Sequence, residues 1–443
     1  MSEREPTAVE RRATPEGGVR ASWSLLRRNR DFRKLYLASM ISLGGDWFLL
    51  VALFSLVLDL TASAIAVALL LAAQDLTYFI VSPLAGVLAD RLDRRKLMVA
   101  CDIARAFLCL GFLLIRSASV VWLVYPLLAA IAAFSAGFEP ASAAALPNLV
   151  DDEDLSTANA LSGSLWGTML AIGAALGGVV TAVLGRDAAI LIDAASFAAS
   201  ALLIFRVRRN FSEERRHEEH AGLVDATQET LRYARKDHRV LALLAVKAGF
   251  GIGGGVIVLI SVFASKVFNA GDVGIGLLMG ARGVGALIGP FVGRRMLGPQ
   301  DRRLFTVIGY ALATFGVGYV LLGFAPGLLL GMAAAALAHV GGGAQWMLSS
   351  YGLQRIVPDR IRGRIFAFDF MLITLSFGIS SIVTGWVATQ YGARPAAIGM
   401  GVVAFAWAIA WTWLTGDVRR ATMLDGCGGP PPDAVEVAPV PSD

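Results

Sequence analysis

Several ionisable side chains interrupt the long apolar stretches of this 443-residue chain, and they are the residues best placed to do chemistry. An ionisable group at bilayer depth costs roughly 2.5–3.5 kcal/mol on insertion scales, so each one needs a partner or a function. A carboxyl group removed from water favours its uncharged form, which suits proton exchange. The residues concerned are Asp46, Asp75, Asp102, Arg105, Glu139, Asp193, Lys247, Arg282 and His339.

Three of the acidic residues, Asp46, Asp75 and Glu139, are candidates for binding protons or substrate, as are the basic residues Lys247, Arg282 and His339. Asp46 lies about eleven residues into the first apolar stretch, close to mid-membrane at about 1.5 Å per residue, and Gly44 and Gly45 leave room beside it. It can titrate as a proton site or meet a cationic group of a substrate. The alternative is a carboxylate that is hydrogen-bonded within the helix bundle. Glu139 precedes Pro140, which bends a helix, often at a gate, and is a second candidate.

The apolar stretches of the second half contain mainly basic groups, namely Lys247, Arg282 and His339. The first half contains mainly acidic ones. This polarity suits a zwitterionic or mixed-charge substrate, and pairing with the acids of the first half explains it equally well. His339 is either a proton relay or a packed polar group.

Three intramembrane charges have the positions of structural residues. Asp102 and Arg105 are separated by three residues, so on a helix they lie on one face and can neutralise each other. Asp193 falls near the outer end of its apolar stretch, a few residues after that stretch begins. We expect all three to stabilise the fold.

The elements that position these residues are the apolar stretches themselves. Charged residues make up 16% of the chain and hydrophobic residues 56%, whereas a soluble domain carries roughly 25% charge. Each stretch is near the ~20 residues that a helix needs to cross a bilayer. The sequence therefore predicts an all-α membrane protein with twelve transmembrane helices, spans 1 to 12, at about 35–58, 64–89, 97–115, 120–145, 160–183, 188–206, 241–264, 272–293, 304–324, 327–350, 365–391 and 395–414.

The basic residues are distributed as a topology signal. Most of the 39 lysines and arginines lie in the two termini and in the even-numbered loops between spans. The opposite face holds only Arg116, Arg186, Lys266 and Arg394. By the positive-inside rule both termini are cytoplasmic. The net charge of +5 is thus explained by topology, and we expect no nucleic-acid partner.

An internal repeat relates the two halves of the chain. An offset of 207 residues superimposes Ser82 to Gly86 on Gly289 to Gly293 without gaps. Each half has six spans, so the halves are parallel repeats related by an axis along the membrane normal. The predicted parts are a cytoplasmic N-terminal tail, a six-helix bundle, a cytoplasmic linker, a second six-helix bundle and a disordered C-terminal tail, at 1–34, 35–206, 207–240, 241–415 and 416–443.

The short loop between spans 2 and 3 carries the most specific motif. A glycine near the end of an apolar run is followed by an Asp-Arg pair and two further arginines, namely Gly86, Asp90, Arg91, Arg94 and Arg95. Together with the twelve spans and the repeat, this pattern resembles the major facilitator superfamily. The Gly-Gly-Asp-Trp segment at 44–47 and the Pro-Asn-Leu-Val segment at 147–150 are similar to its macrolide-efflux and enterobactin-exporter branch.

The resemblance implies alternating access between two bundles, with a central cavity lined by spans 1, 4, 7 and 10. It also implies that the loop motif is a conformational latch, in which arginines offer bidentate partners to Asp90. The alternative is that these charges only anchor the topology. Asp369, a few residues inside span 11, is expected to join the same network.

Asp75 and Arg282 occupy equivalent repeat positions in spans 2 and 8. Our hypothesis is that they approach in one access state and separate in the other, and the alternative is two separate pairs, each within its own half. Glycines with small-xxx-small spacing run along spans 5 and 8, which allows helices to approach closely. Span 5 has Leu-Gly-Gly-Val at 176–179, without the proline of the family's antiporter motif.

We therefore expect a secondary active transporter of a bacterial inner membrane, which exports an amphipathic drug, macrolide-like compound or siderophore in exchange for protons. The alternatives are a lipid or lysophospholipid translocator and a non-transporting membrane sensor. The sequence has no ATP-binding loop and no nucleophile–base arrangement. We expect no enzyme activity, no cofactor and no metal; the partners would be a small-molecule substrate, protons and lipids, and the protein a monomer.

Overall fold

A computed structural model describes residues 15–209, 211, 232–298 and 301–425 of the chain. Within these ranges the regular elements are helices, and twelve of them are long and apolar enough to cross a membrane, as the sequence predicts. The chain is thus a multi-pass membrane protein. The main helices of spans 1 to 12 are Arg30–Thr61, Ala64–Arg91, Arg94–Gly111, Val124–Leu149, Asp152–Leu184, Arg186–Phe205, His238–Gly254, Gly271–Met296, Leu304–Phe324, Leu328–Ile356, Asp359–Tyr391 and Ala393–Leu414.

Several helices begin before the apolar stretch that predicted them. Span 1 begins at Arg30, where the side chain of Asn29 accepts a hydrogen bond from the backbone N–H of Phe32 at 2.9 Å. Asp93 caps span 3 in the same way through the N–H of Lys96 at 2.9 Å. A cap satisfies backbone donors at a helix start, so the helices continue into their charged flanks.

Span 7 is segmented, although the sequence predicts one helix over 241–264. The helix ends at Gly254 and continues as a 3₁₀ turn at Gly255–Val258, a short α-helix at Leu259–Val262 and a π-helix at Phe263–Val267. Glycine is a poor helix former, and this stretch is rich in it. The N–H of Gly255 donates to Ser380 Oγ of span 11 at 3.1 Å.

The described residues form two compact units. The first contains spans 1 to 6 together with residues 264–283, and the second contains residues 232–263 together with 284–425. In the first unit, span 1 packs against spans 5 and 6, and span 4 against spans 2 and 3. In the second, span 9 packs against spans 10 and 12, and span 7 against spans 10, 11 and 12.

In the described part of the chain, one helix precedes span 1 and another follows span 12. The first, Pro15–Arg28, belongs to the predicted N-terminal tail and buries Leu25 in the core of the first unit. The second corrects a prediction, because the tail expected to be disordered from residue 416 begins with the helix Gly416–Asp425. This helix packs on span 9 and buries Thr422, which explains its order. The rest of that tail and most of the 207–240 linker lie outside the described residues.

Candidate transport site

A buried charge network in the first unit is centred on Arg105 of span 3. Its side chain is 3% exposed and forms an ion pair with Asp102, one helical turn earlier, as the spacing predicts. Its Nη1 donates to Ser135 Oγ at 3.3 Å. The guanidinium lies 4.8 Å and 4.4 Å from the ring centroids of Phe138 and Phe197, at cation–π distance. Arg105 is therefore held from three sides.

One guanidinium group, that of Arg105, interacts electrostatically with four carboxyl groups in this network. The charge of Arg105 interacts with Asp46, Glu139 and Asp193 as well as with Asp102. A single positive charge does not neutralise four negative ones, so ionising all four carboxyl groups together would leave a net negative charge within the helix bundle.

The four acids differ in exposure. Asp102 and Asp193 are fully buried, whereas Asp46 is half-buried and Glu139 is exposed. The hydroxyl of Tyr78 donates a hydrogen bond to Glu139. The structure thus places Asp46 and Glu139, two of the sequence-predicted candidates of the first half, in one network, where both are less buried than Asp102 and Asp193.

Asp193 is held between spans 1, 3 and 6. Ser196 Oγ donates to its Oδ1 at 3.2 Å, and the thiol of Cys109 donates to its Oδ2 at 3.4 Å. Span 1 passes close by at Gly45, where a Cβ would overlap both Asp193 and Ser196. The side chains of Asp193 and Ser196 of span 6 thus occupy the space beside Gly45.

Asp75 and Arg282 both belong to the first unit, because residues 264–283 pack with it. The guanidinium of Arg282 interacts electrostatically with the carboxyl group of Asp75. Arg282 is 7% exposed, and Asp75 is half-buried. Their separation in a second state stays a prediction.

Glycines bring spans 5 and 8 into backbone contact in the same unit. A Cβ on Gly178 would lie 2.7 Å from the Cα of Gly276, and a Cβ on Gly276 would lie 2.7 Å from the Cα of Gly178. Further along, Gly280 and Gly283 face Ala171. Side chains larger than hydrogen do not fit at the Gly178–Gly276 crossing.

The other glycines of these spans pack elsewhere. Gly285, Gly289 and Gly293 of span 8 face span 10 in the second unit. Gly173 and Gly177 of span 5 face span 1. Of the span 8 glycines, Gly276, Gly280 and Gly283 are thus the ones that face span 5.

A polar cluster beside this crossing was missed by sequence reasoning. Ser55 of span 1 donates a hydrogen bond to Asp272 at the start of span 8. Arg186 donates to Ser55 Oγ at 3.0 Å and forms an ion pair with Asp59. The sequence signal that could have found this cluster is the set of isolated charged residues at the span ends, on the side opposite the basic loops.

The second unit contains a buried ion pair between spans 7 and 11. Lys247 is 2% exposed and Asp369 3% exposed, and they bind each other. Lys247 Nζ also donates to Ser350 Oγ at 2.9 Å and lies 4.9 Å from the ring centroid of Trp346. Asp369 therefore pairs with Lys247, and its joining the loop network of Asp90 stays a prediction, since the side chain of Asp90 lies outside what the structure describes.

His339 lies apart from this pair. It is 3% exposed, and its Nε2 is 2.8 Å from the hydroxyl of Tyr319. The ring of Phe315 contacts it edge-on, with centroids 5.7 Å apart. This environment is that of a packed polar group between spans 9 and 10.

The loop between spans 2 and 3 is described only in part. The surroundings of three predicted latch residues lie outside what the structure describes, namely Gly86, Asp90 and Arg91. Arg94 donates to the backbone oxygens of Ala144 at 2.8 Å and Phe211 at 3.2 Å. Arg95 donates to the carbonyl of Arg209 at 2.7 Å. These arginines join the ends of spans 3, 4 and 6.

Comparison with known proteins agrees with this architecture. The chain is similar to the uncharacterized MFS-type transporter YfiS of Bacillus subtilis (strain 168), with 29% identity over 187 residues that cover 42% of this chain and 44% of YfiS. It is 23% identical to macrolide efflux protein A of Streptococcus pyogenes over 370 residues, which cover 82% of this chain and 90% of that protein.

The fold also matches a crystal structure of a bacterial homologue of the human lysosomal transporter Spinster, in an inward-facing and unoccupied conformation. The TM-score is 0.71 at 13% identity, over 89% of this chain and 98% of the other. The family model described as transmembrane secretion effector matches residues 20–421. The chain therefore belongs to the transmembrane secretion effector family and is a transporter of the major facilitator superfamily, not an enzyme.

Proposed function

We propose that this protein is a proton-coupled exporter of an amphipathic organic molecule. The observation that carries the proposal is the sharing of Arg105 among four carboxyl groups, two of which are accessible. A similar protein from Streptococcus pyogenes is a macrolide efflux protein, which supports export as the direction.

In this proposal Asp46 and Glu139 are the proton-binding residues. Each ionised carboxylate competes with Asp102 for the charge of Arg105, so the arrangement of the cluster depends on how many protons it holds. A cationic or hydrogen-bonding substrate group near Asp46 stabilises its ionised form and releases a proton. Asp102, Arg105 and Asp193 keep the cluster folded while this exchange occurs.

Aromatic side chains provide the surface for an apolar substrate body. Trp47 and Trp166 pack edge to face, with centroids 6.1 Å apart, and Trp166 is 49% exposed. In the second unit, Trp346 is 40% exposed and packs against Phe250. Large aromatic faces combine apolar area with defined geometry, which suits an amphipathic ligand.

Alternating access requires contacts that form in one state and break in the other. The Gly178–Gly276 crossing and the Ser55–Asp272 hydrogen bond are of this kind, since each can separate without leaving a buried charge unpaired. Asp75 and Arg282 are the charged pair that this separation would divide.

For the membrane location we propose a bacterial inner membrane with both termini in the cytoplasm and a monomeric protein. The basic loops support this orientation. Reporter fusions after residue 425 and within the 116–118 turn would test it. A cytoplasmic reporter should be active only at the first position.

The test of function is substrate-induced proton release from everted vesicles that carry this chain. The panel contains macrolides, dyes, siderophores and lysolipids. We expect one class to release protons, and Asp46→Asn to abolish the signal because the amide cannot exchange a proton. Asp187→Asn, at an exposed ion pair with Arg116, is the matched control and should retain it. A signal unchanged in Asp46→Asn contradicts the assignment.

A groove on the first unit favours a second candidate, lipid translocation. It has a volume of about 840 Å³ and is lined by apolar side chains of spans 3 and 6, such as Ile103, Phe107 and Leu202. Its lining suits an acyl chain and offers no charged group for a headgroup. Competition by lysolipids in the vesicle assay, with no response to the other compounds, would favour this function.

A further inference from the structure

The buried ion pair of the second unit has bonding capacity that the described residues do not use. Lys247 binds Oδ2 of Asp369, and the other oxygen, Oδ1, is buried with no hydrogen-bond partner in the described ranges. Asp369 itself is 3% exposed. Buried acceptors are almost always paired. Asp369 Oδ1 is therefore able to accept a further hydrogen bond from a donor such as an ammonium group.

Trp346 connects this pair to accessible surface. Its ring centroid lies 4.9 Å from Lys247 Nζ, while the residue as a whole is 40% exposed. Phe250 packs edge to face against Trp346 and against Phe377, with centroids 6.5 Å and 5.6 Å apart. A ligand that reaches the pair would thus contact an aromatic surface with its apolar part.

The charges at this site select among ligands. A ligand with one charge could replace one partner of the Lys247–Asp369 pair, but the other partner would remain buried and unpaired, which is strongly unfavourable. A ligand with both charges avoids this, because its ammonium pairs with Asp369 while its carboxylate pairs with Lys247. Ser350, 2.9 Å from Lys247 Nζ, continues to accept one of the ammonium protons of the lysine.

We propose that Lys247, Asp369 and Trp346 bind the zwitterionic amino-carboxylate headgroup of an amphipathic substrate. The ligand divides the internal ion pair and makes two ion pairs in its place, and Trp346 and Phe250 contact its apolar body. This inference rests on the proposed transport function and names the substrate class.

The test is equilibrium binding to the purified full chain in lipid nanodiscs, with four matched probes. Homophenylalanine is the zwitterion, 3-phenylpropylamine lacks the carboxylate, 4-phenylbutanoate lacks the ammonium and 4-phenylbutanamide is neutral. Titration calorimetry should show the zwitterion binding at least about tenfold more tightly than each of the others, equivalent to about 1.4 kcal/mol.

The variants separate recognition from folding. In Asp369→Asn the zwitterion should lose its advantage over 4-phenylbutanoate, and in Lys247→Gln its advantage over 3-phenylpropylamine. The double variant Lys247→Asp/Asp369→Lys keeps both charges and should keep the preference for the zwitterion. Asp417→Asn, at the exposed pair with Arg420, is the charge-matched control and should bind like wild type. Melting temperatures identify variants that fail to fold.

Several outcomes would overturn the inference: no binding of homophenylalanine, equal binding of the neutral amide, or an unchanged preference in both single variants. Failure of the proposed function is distinguishable. Zwitterion preference without proton release in everted vesicles refutes the coupling and leaves this site standing. Proton release by neutral or singly charged compounds alone overturns the zwitterion site and leaves the coupling standing.

Discussion

Replacing Gly276 with alanine should open the contact between spans 5 and 8. A Cβ at this position would lie 2.7 Å from the Cα of Gly178 and 2.8 Å from the carbonyl oxygen of Ala174. Both are backbone atoms, so no side-chain rotation relieves the overlap. Overpacking costs typically about 1–3 kcal/mol. Here the cost destabilises only the state in which spans 5 and 8 are in contact. Such a bias changes the ratio of two states by roughly 5–150-fold.

The assay is alkylation of a cysteine placed at Thr181, one turn beyond Gly178 on span 5 and 3% exposed. Its Oγ1 has no hydrogen-bond partner in the described ranges, so Thr181→Cys is a mild change. The native cysteines are replaced by serine so that only this thiol reacts. With a membrane-impermeant maleimide, the labelling rate of the Gly276→Ala variant should exceed that of the parent by a factor of roughly 5–150.

The matched control is Gly163→Ala, on the same span, where a Cβ would meet nothing within 4 Å. Its labelling rate should equal that of the parent. Equal rates in Gly276→Ala and the parent, with both proteins folded, would refute the argument that this crossing closes one access state. Equal acceleration by both alanine variants would show a general helix effect instead.

Two further changes test the first unit. Gly45→Ala should lower the melting temperature, because its Cβ overlaps Asp193, whereas Gly44→Ala, whose Cβ would meet only a methionine sulfur at 3.6 Å, should not; equal effects would contradict the packing argument. Charge reversal at Asp75 or at Arg282 should abolish transport and reversal at both should recover it, since the two groups interact. A double variant no more active than the singles in the vesicle flux assay would exclude the pair.

The parts of this molecule that follow from local sequence could be predicted. Apolar length located the twelve spans, and the three-residue spacing located the Asp102–Arg105 pair. Both depend on interactions within one helix, where geometry is fixed by the backbone. Helix starts were placed too late because capping by residues such as Asn29 extends them beyond the apolar stretch.

Contacts between spans could not be predicted in the same way. Lys247 and Asp369 are 122 residues apart, and no periodicity tells which helices are neighbours. The same holds for Ser55 and Asp272, which are 217 residues apart. A lone intramembrane charge indicates that a partner exists but not where it lies. The segmentation of span 7 likewise depends on Ser380 of span 11.

The internal repeat shows how one fold carries two different chemistries. The 207-residue offset relates Glu139, next to Arg105, to Trp346, which covers Lys247. The same helix position thus bears a carboxyl group, Glu139, in one unit and an aromatic ring, Trp346, in the other. In the first unit, four acids share one cation, an imbalance that changes with protonation. In the second unit, Lys247 and Asp369 pair one cation with one anion, so a ligand can replace the pair only by matching both charges. This asymmetry favours a division in which the first unit responds to protons and the second recognises substrate.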